Sequence, residues 1–285
     1  MNAPTYASVL VRSSSLSGYP DCPRRAATKL FPREIEAAGY TLRSLPSNVG
    51  AAVGTGVHAA AAMILKEKAA NGNLPPLNVA TDAAVEELRN AVNQGITWDK
   101  ETPVLNEAEL QVARMVQVYR HQVAPMVDPL IVEERLEAQV SPAIVLTGQS
   151  DVIAREPGRV RDLKGGKVMG MHAPQIGSYS LLARSNAIDV TDAVVDWIPR
   201  VPLKKPQPDA VTYRYDVSIA ETAAVNVLRH IESDLATFRS GDMERHLLPG
   251  DPWAFVANPS SKLCSAKWCP AHGTDFCREH AAVEE

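Results

Sequence analysis

The chain predicts an α/β fold in which a helical stretch precedes a strand-rich core. Three observations carry that expectation. Residues 56–127 are dominated by helical patterns, and residues 129–163 hold three short β-branched segments separated by turn residues. Residues 173–239 then run helix, strand, strand, helix. With 285 residues, 45% hydrophobic and 22% charged, the chain can bury a sizeable core as one large domain or as a core with a helical insertion.

Segment 13–25 sets serines able to cap a helix before a short turn ending in Cys22-Pro23. From Gly56 to Ala70 the alanine-rich run is a helix, ended by Asn71-Gly72-Asn73 and Pro75-Pro76. Thr81-Asp82 is placed to cap a helix running through Val92, and 107–123 sets Leu110, Ala113, Met115, Val116 and Tyr119 on a helical face. Strands are expected at 129–140, 144–153 and 158–163, as a meander with a turn at Glu156-Pro157-Gly158. After Gly165-Gly166 come a helix at 173–184, a buried strand at 193–198, a proline- and lysine-rich loop at 199–208, a strand at 211–217 and a helix at 219–239. The tail from Pro249 is loop-rich and holds three of the four cysteines.

A net charge of −4 argues against a protein coated in basic surface. No uninterrupted apolar run reaches the ~18 residues of a membrane span, and the N-terminus lacks a basic region followed by a long apolar stretch. The expectation is a cytoplasmic protein without a membrane partner. Aromatics make up 5% of the chain, so a sequence-reading RNA module is not expected.

The most informative stretch is 148–167, GQSDVIAREPGRVRDLKGGK. Asp151 is expected on one strand and Asp162 on the next, where pairing brings the two carboxylates together. Lys164, two residues on, projects from the same face as Asp162. Phosphodiester hydrolysis needs a hard divalent cation on oxygen ligands, and two aspartates with the backbone carbonyl of Leu163 can supply part of an octahedral shell. A lysine beside it can orient water and neutralise charge developing in the transition state. Alone, this short pattern is more often a solvated hairpin. Its neighbours raise its weight: His58 closes Gly54-Thr55-Gly56-Val57-His58 at the expected start of a helix, and Gln175 and Tyr179 share a helical face at i, i+4.

In this order the residues resemble the RecB-family branch of the PD-(D/E)xK nucleases, which includes nuclease domains of recombination helicases and exonucleases of CRISPR spacer acquisition. The resemblance runs from about residue 14 to 277. It implies a restriction-endonuclease-like core, a mixed central sheet flanked by helices, at 129–240. A helical subdomain at 56–127 and a cysteine-rich tail at 249–285 would complete a single nuclease domain over 1–285. It implies His58, Asp151 and Asp162 as metal ligands for Mg²⁺ or Mn²⁺, Lys164 as the group assisting the attacking water, and Gln175 and Tyr179 as a QxxxY motif that contacts DNA and orients catalytic groups. A family glutamate on the first core strand could correspond to Glu133 or Glu134, each more readily read as a surface charge.

Cys264-x4-Cys269-x7-Cys277 is compact, and Cys22 lies 242 positions before it. Four thiolates suit a [4Fe–4S] cluster or a structural zinc, and free or disulfide-bonded cysteines remain a third reading. Some members of the resembling family carry one cysteine before the nuclease core and three after it, which implies the iron–sulfur cluster here with the tail closing on Cys22. Both C-terminal gaps are two residues longer than the family's C-x2-C-x5-C. His272 and His280 could enter a zinc site but are more readily ordinary polar residues.

Arg155, Arg159, Arg161, Lys164 and Lys167 cluster around the expected centre, with Lys204, Lys205, Arg24 and Arg25 elsewhere, as candidates for phosphate contacts. The leading expectation is a DNA exonuclease in recombination, repair or phage DNA processing, bacterial or phage-encoded. It would be partnered by DNA and by a helicase or annealing protein, since the chain has no GxxxxGK[ST] motif. The rivals are a structure-specific or single-strand endonuclease and a non-catalytic DNA-binding or assembly subunit.

Overall fold

The computed structural model describes residues 7–155 and 157–278. In chain order it holds β1 (Val9–Arg12), α1 (Ser13–Leu16), α2 (Pro23–Leu30), α3 (Pro32–Ala37), β2 (Ser47–Asn48), α4 (Val49–Asn71), α5 (Leu77–Asn93), β3 (Ile96–Thr97) and α6 (Leu105–Val118). A π turn (Tyr119–Val123) and a 3-10 turn (Ala124–Met126) follow. Then come β4 (Pro129–Val132), β5 (Arg135–Ser141), β6 (Ile144–Gln149), β7 (Val152–Ala154), β8 (Arg159–Lys164), α7 (Ala173–Ser185), β9 (Asp192–Trp197), β10 (Val211–Tyr215) and α8 (Val217–Ser240).

The third strand of the expected meander is β8, paired antiparallel with β7, and the first two form one hairpin broken in the middle of both arms. Its outer half pairs β5 with β6 in the sheet β1-β6-β5, and its inner half pairs β4 with β7 in the sheet β10-β9-β8-β7-β4. Each expected strand, 129–140 and 144–153, is therefore two strands. The break falls at Glu133, whose φ of +49° is rare for a residue with a side chain, opposite Ser150-Asp151. The Glu133 N–H still donates to the Asp151 carbonyl at 3.2 Å, so the arms stay joined across the bend. The expected turn residue Glu156 lies outside the described residues.

The five-stranded sheet separates two cores. Strand β7 alternates as a strand with two buried faces must. Ile153 packs with Val160, Ala193 and Val195 beneath α7 and α8, whereas Val152 and Ala154 pack with Leu163 beneath α4, α5 and α6. Each helix layer contains one glycine where two backbones nearly touch. A Cβ at Gly56 in α4 would sit 2.6 Å from the Ala84 carbonyl of α5, and one at Gly177 in α7 would run into the Ala220 carbonyl of α8.

Several boundaries move. Helix α4 starts at Val49, capped by Asn48, whose side chain accepts from the Ala51 N–H at 3.1 Å, so His58 lies well inside the helix rather than at its start. The helix does end at Gly72, in the left-handed conformation glycine favours. Helix α5 begins at Leu77 without a side-chain cap, leaving Thr81-Asp82 inside it. On α6 Leu110 is exposed, and Ala108, Gln111 and Val112 share the buried face with Met115, Val116 and Tyr119. Strand β1, which pairs in parallel with β6, was not expected from its sequence. Helix α4 is long and apolar enough in composition to cross a membrane, yet its Ala52, Val53, Val57, Ala61 and Ile64 are buried in the second core.

Candidate functional site

Two sites gather the residues singled out above. In the first, β7 and β8 pair Val152 with Arg161, so Asp151 and Asp162 are the next pair in register. Asp151 sits at the hairpin break, just before β7 rather than on a strand. Asp162 is buried on β8, which lies between β7 and β9. Lys164 projects from the same face, with Nζ 2.7 Å from Asp162 Oδ2. From α4, His58 Nδ1 reaches Asp151 Oδ1 at 2.7 Å, and the Leu163 N–H donates to the other Asp151 oxygen. Leu163 thus enters the site through its N–H.

Glu133 completes a tighter set. One donor atom each from His58, Glu133 and Asp151 lie within 4.8 Å of one another, whereas Glu134 is exposed. The bend that distorts Glu133 also turns its side chain towards the centre. Its carboxyl is raised by burial and by Asp151. Behind Asp162, Gln175 and Tyr179 are both buried: Gln175 Nε2 donates to Tyr179 Oη at 2.9 Å and to Asp162 Oδ1 at 3.4 Å. Sequence reasoning missed His172, which precedes α7 and has a buried Nδ1 without a partner. Burial and the nearby Lys164 ammonium lower its pKa to about 4. Nothing in its sequence setting marks it.

The electrostatics describe a cluster of carboxylates short of positive charge. Burial and the neighbouring Asp151 push Asp162 up to about 6, against the opposing pull of Lys164. Burial would also raise Asp151, but the His58 imidazolium and the Leu163 N–H hold it below the ordinary carboxylate range. Burial disfavours the His58 cation, yet its pairing with Asp151 carries it to about 9. Asp162 Oδ2 is paired with the Lys164 ammonium at 2.7 Å. The imidazole of His58 with the carboxylates of Glu133 and Asp151, and Asp162 beside them, is a donor set that fits a hard divalent cation.

The expected basic cluster is largely committed elsewhere. Arg161 is buried and forms a bidentate pair with Asp196 at 2.9 and 2.8 Å, and Arg159 pairs with Asp192. Arg24 and Arg25 are also buried. Lys167 is exposed but pairs with Asp99 and Glu101, and Arg155, Lys204 and Lys205 are exposed.

In the second site Cys22, Cys264, Cys269 and Cys277 line one small cavity. All four are free thiols, so no disulfide joins them. Cys22 caps α2 by accepting from the Arg25 N–H at 3.5 Å, and it also accepts from the Asn258 N–H at 3.4 Å. Burial raises Cys277 to about 11; the Arg24 guanidinium opposes that shift and the other three thiols add to it. The two chain ends are also sewn together without any metal. Arg24 donates to the Phe255 and Pro252 carbonyls, Ser261 donates to Asp21, and Phe31, Phe238, Phe255 and Phe276 form one aromatic cluster. His272 does not line the cavity, and His280 lies outside the described residues.

No protein-family model and no curated protein sequence matches the chain. Among solved structures, it is similar to a protein from Eubacterium rectale provisionally named an exonuclease. The TM-score is 0.55 at 11% identity, over 96% of this chain and 89% of that one. A second, SSO0001, aligns at a TM-score of 0.32 and carries no argument. The chain therefore has a mixed α/β fold with sheets flanked by helices, shared along nearly its whole length with the first of these structures and consistent with a PD-(D/E)xK-like core.

Proposed function

We propose that the protein is a metal-dependent DNA nuclease of RecB-like type, acting as an exonuclease. One observation carries the reading: His58, Asp151, Asp162 and Lys164, drawn from a helix, a hairpin break and a central strand, converge on one partly open site. The similarity to the provisionally named exonuclease supports the same chemistry. His58, Glu133, Asp151 and Asp162 would hold Mg²⁺ or Mn²⁺, which supplies polarisation of a phosphate and a more acidic water. Lys164 places a positive charge where the scissile phosphate gains negative charge. Gln175 and Tyr179 fix the Asp162 carboxylate from behind. In the reaction water adds to phosphorus, one P–O ester bond breaks, and the leaving oxygen is protonated.

We also propose a [4Fe–4S] cluster at the four cysteines. All four cysteines line one small cavity, which supports a four-thiolate centre; a structural zinc is the alternative occupant.

The test is cleavage of end-labelled linear DNA and of covalently closed circles, with Mn²⁺, Mg²⁺ or EDTA. Metal-dependent loss of linear DNA with circles spared is expected. Cut circles would make the enzyme an endonuclease, and no cleavage with either metal would overturn the reading.

A further inference from the structure

A cavity of about 250 Å³ lies beyond the catalytic strand, where three regions of the chain meet. Trp98 comes from the segment after α5, Lys167 and Arg200 from the core, and Lys267 and Trp268 from the cysteine-rich tail. Lys167 is three residues past Lys164, and Asn48, the cap of α4, also lines the cavity. Ten residues of α-helix separate Asn48 from His58, about 15 Å along the axis. The cavity is smaller than the roughly 300 Å³ at which drug-sized sites begin, so it suits one ring system.

Its chemistry is aromatic and cationic. Trp98 is 36% exposed, and Lys267 Nζ sits 4.8 Å from the Trp268 ring centroid. Of the cations lining it, Arg200 is buried and bound to Asp99 at 2.7 Å, Lys167 pairs with the same carboxylate at 3.1 Å, and Lys267 is exposed. Glu101, outside the lining, also pairs with Lys167 at 2.7 Å. Indole rings beside cations that follow a phosphate chain are what single-stranded nucleic acid needs, because every base has a face to stack and every linkage has a charge.

We propose that this cavity takes an unpaired base of a DNA strand whose phosphate chain continues to the metal site. The proposal rests on the nuclease reading for the second half of that statement only. Trp268 adjoins Cys269, so the cysteine clasp holds one wall of the cavity in place.

The experiment measures binding of a short oligodeoxythymidylate, and of a blunt duplex of equal length, to the full-length protein in EDTA. Trp98→Ala is expected to weaken single-strand binding by about 5- to 150-fold, the range for losing one stacked base. Trp98→Phe should recover most of it, and duplex binding should change little. Lys267→Glu, at an exposed position, should also weaken single-strand binding and flatten its salt dependence. Unchanged single-strand affinity in both Trp98→Ala and Lys267→Glu would overturn the proposal, as would equal losses for single strand and duplex. Wild-type cleavage with Mn²⁺ is scored separately. Cleavage without Trp98-dependent binding sinks the cavity and spares the nuclease, and Trp98-dependent binding without cleavage does the reverse.

Discussion

The carboxylate centre and the cysteine clasp are built from opposite materials. The first takes oxygen and nitrogen donors from a 23-residue helix, a hairpin break and a strand paired on both sides within a sheet. The second takes sulfur donors from the first residue before a helix and from a run of turns, joining segments 242 positions apart. Hard donors on rigid strands suit chemistry that tolerates little misplacement. Soft donors on chain ends suit a fastening. The two should fail differently when damaged.

The largest contrast is expected from removing one donor at each. Asp162→Ala should lower metal-dependent cleavage by about a thousandfold or more, the scale of several kcal/mol of lost charge stabilisation, with an unchanged circular dichroism spectrum. Full activity in that variant would remove Asp162 from the centre. The platform beneath it should be costly to disturb. Arg161→Ala leaves Asp196 buried and short of its partner, and urea denaturation should show a loss of about 3–5 kcal/mol. Cys22→Ser should lose the metal content of the clasp and about 2–4 kcal/mol. That is less than the ~5 kcal/mol of closing so long a loop, because hydrogen bonds and the aromatic cluster still tie the ends. A full complement of iron or zinc in Cys22→Ser would exclude it as a ligand. Gln175→Leu should cost 10- to 100-fold in metal affinity or rate, as loss of a supporting hydrogen bond does. An effect on folding alone would make Gln175 merely structural.

The last contrast is one of pH in metal-free protein. Both His58 and Cys277 have folded pKa values raised above their ordinary ones, so each stabilises fully below the ordinary value and loses that contribution as pH rises through the folded value. For His58 the window is 6.5 to about 9, and for Cys277 it is 9.0 to about 11. Stability followed from pH 6 to 9 should fall, and His58→Ala should abolish that fall.

Much of the core was legible in the sequence. The pattern at 211–239 and the helix at 173–184 match β10, α8 and α7 closely, because alternation and helical spacing were strong there. The hairpin break was not legible. PLIVEERLEAQV is β-prone throughout, and nothing local requires Glu133 to take a positive φ; that comes from two sheets demanding different directions. The same gap left Glu133 and Glu134 indistinguishable until the bend turned one inward. Arg161 looked available for phosphate because its partner, Asp196, lies 35 residues away on a strand that pairs in parallel with its own. His172 and the Trp98–Trp268 cavity depend on long-range packing and leave no local trace.

The sheet that separates the two cores also gives the carboxylate centre a place in the thermodynamics of the whole domain. His58 belongs to the helix layer on one side, whereas Gln175 and Tyr179, which brace Asp162, belong to the layer on the other. A cation held by His58 and Asp162 together would act as a bolt through the sheet, since neither layer could come away without releasing it. Its binding energy would then appear as cooperativity. Saturation at a hundred times the dissociation constant would add about 2.7 kcal/mol to global unfolding.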